Sequence, residues 1–175
     1  MNTRFEFVTS LPDPPAFEAM IREYWHYMAA RLVEAGGPVL SADDLTADTM
    51  AHLEYMAPPQ GRLLLATSPA GDLLGCGVIR HIRDDAAEFK RMYVRPAARG
   101  LGLGRALFEH RVDEARRMGC RTLYADTIKG NMAMISMYEK LGFTRIPRYP
   151  ENANPPQMDP FLVYFRRDRD PVPAA

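Results

Sequence analysis

The sequence predicts one α/β domain built around a mixed sheet, and three observations support that fold class. The chain has 175 residues and is 47% apolar, which suits a single domain with a sizeable core. Residues 62–96 contain three extended segments joined by turns, the pattern of an antiparallel meander. From residue 102 onwards, helical and extended segments alternate, as they do where helices pack on a sheet. We expect residues 1–166 to form this domain and residues 167–175 a flexible C-terminal tail.

Glycine and proline delimit the elements in the first half of the chain. The segment RFEFV alternates like a strand, and a helix over residues 16–35 ends at a pair of glycines. A second helix is predicted from a cap at Ser41 or Asp43 to just before Pro58. The three strands of the meander are GRLLLATS, LLGCGVIRHI and AAEFKRMYV.

In the second half, a helix over residues 102–118 carries an apolar stripe and stops at Gly119. Arg111 lies inside that stripe, and the only account the sequence offers for it is a local carboxylate partner. The segment RTLYADT is predicted to be a strand, residues 131–140 a helix ended by Gly142, and FTRI and FLVYF two further strands. Between these last strands, PRYPENANPPQMDP holds five prolines and should form a stiff loop.

Charge balance and cysteine content argue against several classes of protein. Lys plus Arg and Asp plus Glu are equal at 22 each, so a nucleic-acid partner is not expected. An apolar N-terminal segment and 18-residue apolar runs are absent, so we expect a cytoplasmic protein with no membrane partner. Cys76 and Cys120 are too few for a disulfide framework, and no cluster of His, Cys, Asp and Glu has metal-ligand spacing, so no metal is expected.

A glycine-rich loop flanked by two arginines stands at the start of a predicted helix. Its members are Arg99, Gly100, Leu101, Gly102, Leu103, Gly104 and Arg105. Glycines let backbone N–H groups approach an anion, and the helix N-terminus and the arginines add positive charge. The loop therefore predicts a phosphate or pyrophosphate site, although a plain tight connection would also use glycines. The dinucleotide fingerprint G-x-G-x-x-G and the tripeptide Gly-Lys-Ser/Thr are absent, whereas Arg-x-x-Gly-x-Gly is present.

Two segments together resemble the GNAT superfamily of N-acetyltransferases. The family's pyrophosphate-binding segment for acyl-coenzyme A is similar to YVRPAARGLGLGRAL, and its second signature is similar to NMAMISMYEKLGF further along the chain. The resemblance covers residues 58–165. It implies a twisted mixed sheet of about six or seven strands with helices on both faces. It also implies acetyl-CoA as cosubstrate and transfer of the acetyl group to a primary amine, with a small molecule as the expected acceptor.

The resemblance leaves other functions and the oligomeric state open. The same fold could hold acyl-CoA as a sensing module without chemistry, and the presence of Tyr138 favours the enzyme. An acetyltransferase acting on a protein N-terminus or an aminoacyl-tRNA is the other alternative, and the zero net charge weakens its RNA version. A homodimer is compatible with the sequence.

The family resemblance also assigns roles to single residues. Backbone groups of Met92, Tyr93 and Val94, on the strand before the loop, would bind the pantetheine arm and face the thioester oxygen. Tyr138 occupies the position of a tyrosine near the sulfur and is the candidate general acid, because a departing thiolate accepts a proton. The alternative for Tyr138 is an ordinary core tyrosine. Asn131 opens the same helix as an N-cap, a cofactor contact or both.

Glu88 is the candidate general base that would take the proton of the acceptor amine. Strict alternation along EFKRMYV places Glu88 on one strand face with Lys90, Met92 and Val94, two of which are expected at the thioester. A carboxylate there could accept a proton directly or through water, and a surface charge paired with a neighbouring cation is the alternative. The other candidates for the base are bulk water, Asp126, His81 and His110.

The proline-rich loop has a partial parallel in a subgroup of the family, which carries Pro-Pro-Tyr-x-x-Asn-Pro. Here Arg148 stands in place of the second proline and Ala153 in place of the last. Tyr149 and Asn152 are candidates for contacts with the acceptor, and a rigid loop without a ligand is the alternative.

Overall fold

Within residues 2–168, which the computed structural model describes, the chain forms a seven-stranded sheet and four α-helices. The strands are β1 (Arg4–Val8), β2 (Gly61–Thr67), β3 (Leu73–Arg83), β4 (Ala86–Val94), β5 (Thr122–Ile128), β6 (Thr144–Ile146) and β7 (Leu162–Asp168). The helices are α1 (Pro14–Glu34), α2 (Ala42–Ala51), α3 (Leu103–Arg117) and α4 (Met132–Lys140). The strand order is β1-β2-β3-β4-β5-β7-β6, parallel between β4 and β5 and antiparallel elsewhere. The predicted mixed sheet and the meander are confirmed.

The helices cover both faces of the sheet, so each face has its own core. On the α1 face, Phe17 and Ile21 of α1 pack against Leu63 of β2 and Val78 of β3. On the α3 face, helices α3 and α4 pack against the strands through a second cluster. Its largest members are Ile79, Phe89, Phe108, Leu123, Ile135, Tyr138, Phe143 and Phe165. No helix in residues 2–168 is long and apolar enough to span a lipid bilayer.

Two expected boundaries are wrong. The second helix ends at Ala51, short of the expected end, because the backbone of His52 leaves the helical region with φ of −125°. Strand β7 continues to Asp168, into the expected tail, because that residue still pairs with Thr122 of β5. Pairing between strands far apart in the chain is not visible in the sequence. The rest of the expected tail, residues 169–175, lies outside the described residues.

A β-bulge interrupts β4 shortly before the glycine-rich loop. One residue of β3 separates the partners of Lys90 and Tyr93, whereas two residues of β4, Arg91 and Met92, separate Lys90 and Tyr93 themselves. Arg91 adopts the left-handed backbone conformation, with φ of 45°. An extra residue of this kind shifts the alternation of side chains by one position.

The bulge places Glu88 and two of the residues predicted to share its face on opposite faces of the sheet. Lys90 pairs with a residue of the α1-face core, and Glu88, two positions earlier, lies on that same face. Beyond the bulge, the sulfur of Met92 contacts Arg111 of α3, and Val94 packs in a cluster with α3 residues. The expectation that Glu88 shares a strand face with Met92 and Val94 is therefore wrong, because strict alternation does not hold through a bulge.

Strands β4 and β5 stop pairing partway along their length. Their last paired residues are Phe89 and Ala125. Beyond this point β4 continues to Val94 and β5 to Ile128, and β5 keeps β7 as its neighbour on the other side. The sheet therefore opens at the carboxyl ends of its two parallel strands, where α/β proteins commonly bind ligands.

Arg111 is fully buried, and no carboxylate of residues 2–168 pairs with it, so the expected local partner is not found. Its guanidinium donates to the carbonyl oxygens of Leu107 (3.2 Å) and Val78 (3.4 Å) and lies over the ring of Phe89, 4.5 Å from its centre. Burial lowers the pKa of Arg111 to about 10. Gly77 provides the space, since a Cβ there would lie 2.9 Å from Nε of Arg111.

We expect Arg111→Met to keep the free energy of unfolding within about 1 kcal/mol of wild type, because an apolar side chain of similar volume replaces a buried, unpaired charge. Arg111→Lys keeps the charge but loses the flat stack on Phe89, and it should cost about 2 kcal/mol or more. Urea denaturation followed by circular dichroism measures both variants. The opposite ranking would mean that α3 needs the charge rather than the volume.

Candidate active site

A cavity of about 990 Å³ lies in the gap where β4 and β5 part. The two strands line it with the residues beyond their last paired positions, residues 90–94 and 126–128. Helices α1, α2 and α4, the proline-rich loop and β3 contribute further lining residues, and Gly104 in the first turn of α3 lines the cavity as well. Because residues of both sheet faces contribute, the cavity crosses the plane of the sheet.

The side of the cavity under α1 and α2 is an aromatic wall formed by Tyr24, Trp25, Tyr27, His52 and Tyr55. The rings of Tyr24 and Trp25 lie 4.8 Å apart, and Trp25 Nε1 donates to Oγ1 of Thr49 at 2.9 Å. Burial raises the pKa of the Tyr24 phenol. No role is predicted for these residues from the sequence. The segment YWHY in α1 is the signal that could have drawn attention to them.

The glycine-rich loop leads directly into α3 and leaves backbone accessible. Gly100 and Gly102 have φ of 78° and 79°, a region that glycine enters without steric cost. Gly102 is the N-cap of α3, so no side chain covers the N–H groups of the first turn. A Cβ at Gly104 would meet the Met92 methyl at 3.4 Å, so its absence leaves room between β4 and α3. These features fit the pyrophosphate and the pantetheine arm of coenzyme A.

The two leucines of the loop have different environments. Leu101 is 51% exposed, whereas Leu103 is buried in a cluster with Leu64, Ala98 and Leu107. Leu103 therefore anchors the loop to the core. In both leucines it is the backbone, and not the apolar side chain, that is suited to contact an anion.

The two arginines that flank the loop diverge. Arg99 lines the cavity, and its guanidinium lies over the rings of Tyr27 and Tyr93 at 5.5 Å and 5.8 Å. The side chain of Arg105 is 75% exposed and pairs with Glu109 of the same helix at 2.7 Å. Arg99 is thus already directed into the cavity. Arg105 would have to leave Glu109 before it could contact a ligand there.

Tyr138 and Asn131 line the cavity from α4 and its first cap position. Tyr138 is 2% exposed, and its ring packs on Phe143 and Phe165 with centroids 5.2 Å away. Burial raises the pKa of the Tyr138 phenol, so the phenol keeps its proton at neutral pH. The Asn131 side chain does not cap α4 but donates to Oγ1 of Thr127 at 3.0 Å. A buried proton donor and an amide therefore share one wall.

Glu88 is enclosed behind the cavity wall and does not line the cavity. Its carboxylate is 0% exposed and accepts hydrogen bonds from Arg80 Nε at 2.7 Å, from Asn152 Nδ2 at 3.2 Å and from the Tyr149 hydroxyl. Lys90 Nζ lies 3.2 Å from the same carboxylate. A carboxylate held by two cations and two further donors is poorly placed to meet an acceptor amine.

Asp126 is a carboxylate that does face the cavity. Its Oδ2 accepts from Lys90 Nζ at 2.6 Å and from Asn152 Nδ2 at 2.8 Å. Burial opposes the charged form, but the ammonium of Lys90 outweighs it and holds the pKa of Asp126 below its ordinary value. Burial likewise opposes the ammonium, while Asp126 and Glu88 raise the pKa of Lys90. The Lys90–Asp126 pair is therefore ionised at neutral pH.

The two candidates in the proline-rich loop support the fold of the site rather than line the cavity. Tyr149 and Asn152 both point at the enclosed carboxylate, and Asn152 Nδ2 also reaches the Tyr149 hydroxyl at 2.8 Å. Arg148 fastens the loop by donating to Oδ1 of Asp159 at 2.6 Å and to the carbonyl of Asn152 at 3.0 Å. From the same loop, Asn154 lines the cavity, although no motif in the sequence predicts a role for it.

The two histidine candidates lie away from the cavity. His110 of α3 stacks on Phe5 of β1 with ring centroids 4.7 Å apart. His81 lies on β3, where its Nε2 is buried without a hydrogen-bond partner. Neither ring lines the cavity, so neither is placed to take a proton from a substrate there.

Comparison with known proteins agrees with the motifs. Residues 18–143 match the acetyltransferase (GNAT) family. An uncharacterised N-acetyltransferase of Schizosaccharomyces pombe is 28% identical over 155 residues, which cover 88% of this chain and 87% of the relative. An IAA acetyltransferase of Azospirillum brasilense is 38% identical over 108 residues, which cover 61% of this chain and 70% of the relative.

The fold is also shared with solved structures. The PaiA N-acetyltransferase of Thermoplasma acidophilum, solved in complex with coenzyme A, aligns with a TM-score of 0.71 and 15% identity, covering 96% of this chain and 99% of its own. This likeness concerns the fold alone, and it agrees with the seven-stranded mixed sheet with helices on both faces. The family match spans the glycine-rich loop and α4, the two segments that line the cavity on the α3 face. The chain therefore belongs to the GNAT family of N-acetyltransferases, which use acetyl-CoA.

Proposed function

We propose that the chain transfers the acetyl group of acetyl-CoA to the primary amine of a small molecule. The observation that carries this proposal is the continuity of the cavity, which Gly104 of α3 and the aromatic wall under α1 both line. A cofactor arm from one sheet face and an acceptor from the other could therefore meet inside the gap between β4 and β5. A cavity volume of about 990 Å³ suits a small acceptor beside that arm.

The chain's residues would hold the cofactor in three places. The backbone of residues 99–105 and the positive end of α3 would bind the pyrophosphate, with Arg99 and Arg105 adding charge. Backbone groups of residues 92–94, next to the bulge, would bind the pantetheine arm and face the thioester oxygen. Asn131 would contact the arm from α4. The bound cofactor supplies the acetyl group as a thioester.

Asp126 is the proposed proton acceptor and Tyr138 the proposed proton donor. As the C–N bond forms and the C–S bond breaks, the amine proton passes to Asp126, directly or through water, and the Tyr138 phenol gives its proton to the departing thiolate. Asp126 takes the role considered for Glu88 because Asp126 lines the cavity, whereas Glu88 is enclosed. A carboxylate with a lowered pKa is a modest base, so we expect it to contribute roughly a hundredfold to the rate.

Gly102→Val should weaken the binding of coenzyme A by tenfold or more, on the order of 1.4 kcal/mol. The branched side chain would cover the N–H groups at the start of α3, and it would strain a backbone with φ of 79°. Calorimetric titration with coenzyme A measures the affinity. Gly71→Val is the matched control, since Gly71 has φ of 93° and equally open surroundings in the β2–β3 turn. It should carry the strain without the loss of affinity, and an unchanged affinity in folded Gly102→Val would exclude this pyrophosphate site.

Tyr138→Phe should lower kcat by about tenfold to a hundredfold and leave coenzyme A affinity and Tm nearly unchanged. Phe keeps the packing on Phe143 and Phe165 but lacks the proton, and a thiolate is already a fair leaving group. A continuous assay of thiol release measures kcat. As a control, Tyr164→Phe removes another buried hydroxyl, bonded to Asp159 outside the cavity, and should leave kcat unchanged. A folded Tyr138→Phe enzyme with wild-type kcat would make Tyr138 a core residue only.

Asp126→Asn and Glu88→Gln separate the carboxylate in the cavity from the enclosed one. We expect Asp126→Asn to lower kcat by roughly a hundredfold. Glu88→Gln should change kcat little but lower Tm, because it leaves the half-buried guanidinium of Arg80 without its counter-charge. Thiol release and thermal melting of both variants give the comparison. If Glu88→Gln has the larger effect on kcat in a folded enzyme, the base is Glu88.

Asp126→Asn also tests the pKa of Asp126 through the stability of the protein. The folded pKa lies below the ordinary value of 3.8, so the unfolded chain binds more protons between the two values and stability rises with pH there. This contribution is complete above about pH 4 and is lost as the pH falls through the folded pKa. The Tm of Asp126→Asn should therefore fall less steeply than that of wild type in this acidic range, and parallel curves would contradict the assignment.

A further inference from the structure

The guanidinium of Arg91 lies in the cavity without an anionic partner. Arg91 lines the cavity, and its Cζ lies 5.6 Å from the centre of the Trp25 ring in the aromatic wall. Its Nε is buried and has no hydrogen-bond partner. Within the part of the chain that the structure describes, no carboxylate forms an ion pair with it. The aromatic face stabilises the cation but satisfies none of its N–H donors.

Other cations on or next to β3 and β4 are matched by carboxylates. The pairs are Arg80 with Glu88 (2.7 Å), Lys90 with Asp126 (2.6 Å) and Arg95 with Glu23 (3.0 Å). A half-buried guanidinium without a counter-charge is unfavourable in the free protein. Arg91 therefore differs from its neighbours by holding its donors available for an anion that enters the cavity.

The bulge in β4 directs Arg91 to this place. In an unbroken strand, Arg91 would share the α3 face with Phe89, whereas the bulge turns its side chain to Trp25 on the α1 face. The φ of 45° is a conformation that residues other than glycine rarely adopt. A residue held in an unfavourable conformation, with its charge turned into a cavity, is typical of a functional site.

A second guanidinium in the cavity, that of Arg99, has a different environment. It donates to the carbonyl of Val94 at 3.0 Å and lies over Tyr27 and Tyr93, beside the glycine-rich loop. Its place in the loop accounts for it as a partner of the cofactor's phosphates. Arg91 precedes the residues expected at the thioester and faces the aromatic wall, on the side of the acceptor.

We propose that Arg91 binds the carboxylate of the acceptor and that the acceptor is an α-amino acid with an apolar side chain; this inference rests on the proposed function. The planar guanidinium can bind a carboxylate through two parallel hydrogen bonds. The amine and carboxylate of an α-amino acid share one carbon atom, so a carboxylate on Arg91 keeps the amine near residues 92–94. The aromatic wall provides apolar surface for the side chain.

The test compares three amino acids with their uncharged counterparts. L-phenylalanine, L-leucine and L-methionine are each assayed with acetyl-CoA beside the matching carboxamide, which keeps the amine and the side chain but lacks the negative charge. The readout is how far the acid-to-amide ratio of kcat/KM changes from one enzyme to another. The ratio in a single enzyme is not sufficient, because the amine of the amide is unprotonated in a larger fraction of molecules than the amine of the acid. Arg91→Gln should lower this ratio by about tenfold to a hundredfold, the effect of losing a charged hydrogen bond.

Arg91→Lys is the matched variant. It keeps the positive charge, and lysine, like glutamine, must adopt the left-handed backbone conformation at position 91. It should retain part of the acid preference. Calorimetry adds a measurement without turnover: wild type with coenzyme A should bind the acids more tightly than the amides, and Arg91→Gln should lose this difference.

The outcomes separate this inference from the proposed function. A ratio that Arg91→Gln leaves unchanged overturns the inference while amine acetylation stands. A loss of coenzyme A affinity in Arg91→Gln also overturns it, because the cation would then belong to the cofactor site. Arg91-dependent binding of the acids without any thiol release supports the inference and overturns the proposed function. Absence of both binding and thiol release overturns the inference.

Discussion

Strands β4 and β5 pair only as far as Phe89 and Ala125, and the cavity occupies the space that opens where this pairing ends. At the first unpaired positions, Lys90 and Asp126 form an ion pair of 2.6 Å across the gap. Side-chain charges thus replace backbone hydrogen bonds as the link between the two strands. Such a link leaves backbone groups of both strands open to a ligand, whereas continued pairing would have used them.

The charges around the gap form two layers with different tasks. In the layer behind the wall, the charge of Glu88 is balanced: Arg80, which itself lines the cavity, pairs with it, and Tyr149 and Asn152 of the proline-rich loop complete its hydrogen bonds. The layer in the cavity includes a guanidinium without a carboxylate, that of Arg91. Satisfied buried charges hold a structure in place, whereas an unsatisfied one creates affinity for a ligand. Residue type alone does not distinguish these tasks.

The sequence predicts the glycine-rich loop and α4 well because their signals are local. Spacing of Gly100 and Gly102 and the start of a helix are visible within a few residues. The surroundings of Glu88 are not, because Tyr149 contributes its hydroxyl from 61 positions later in the chain. Its strand face was mispredicted for a second reason, since neither glycine nor proline marks the bulge at Arg91. The aromatic wall becomes a binding surface only when α1 packs over the parted strands.

The fit between Arg111 and Gly77 has an evolutionary consequence. The guanidinium fills the space that any side chain at position 77 would need, with a Cβ there only 2.9 Å from Nε. A larger residue at position 77 would clash with the guanidinium, and a small residue at position 111 would leave a void, so substitutions at the two sites should be correlated as the sequences of relatives diverge. Relatives with alanine or a larger residue at position 77 are expected to carry a side chain smaller than arginine at position 111. Contact with the buried cation thereby links sequence change in β3 to sequence change in α3.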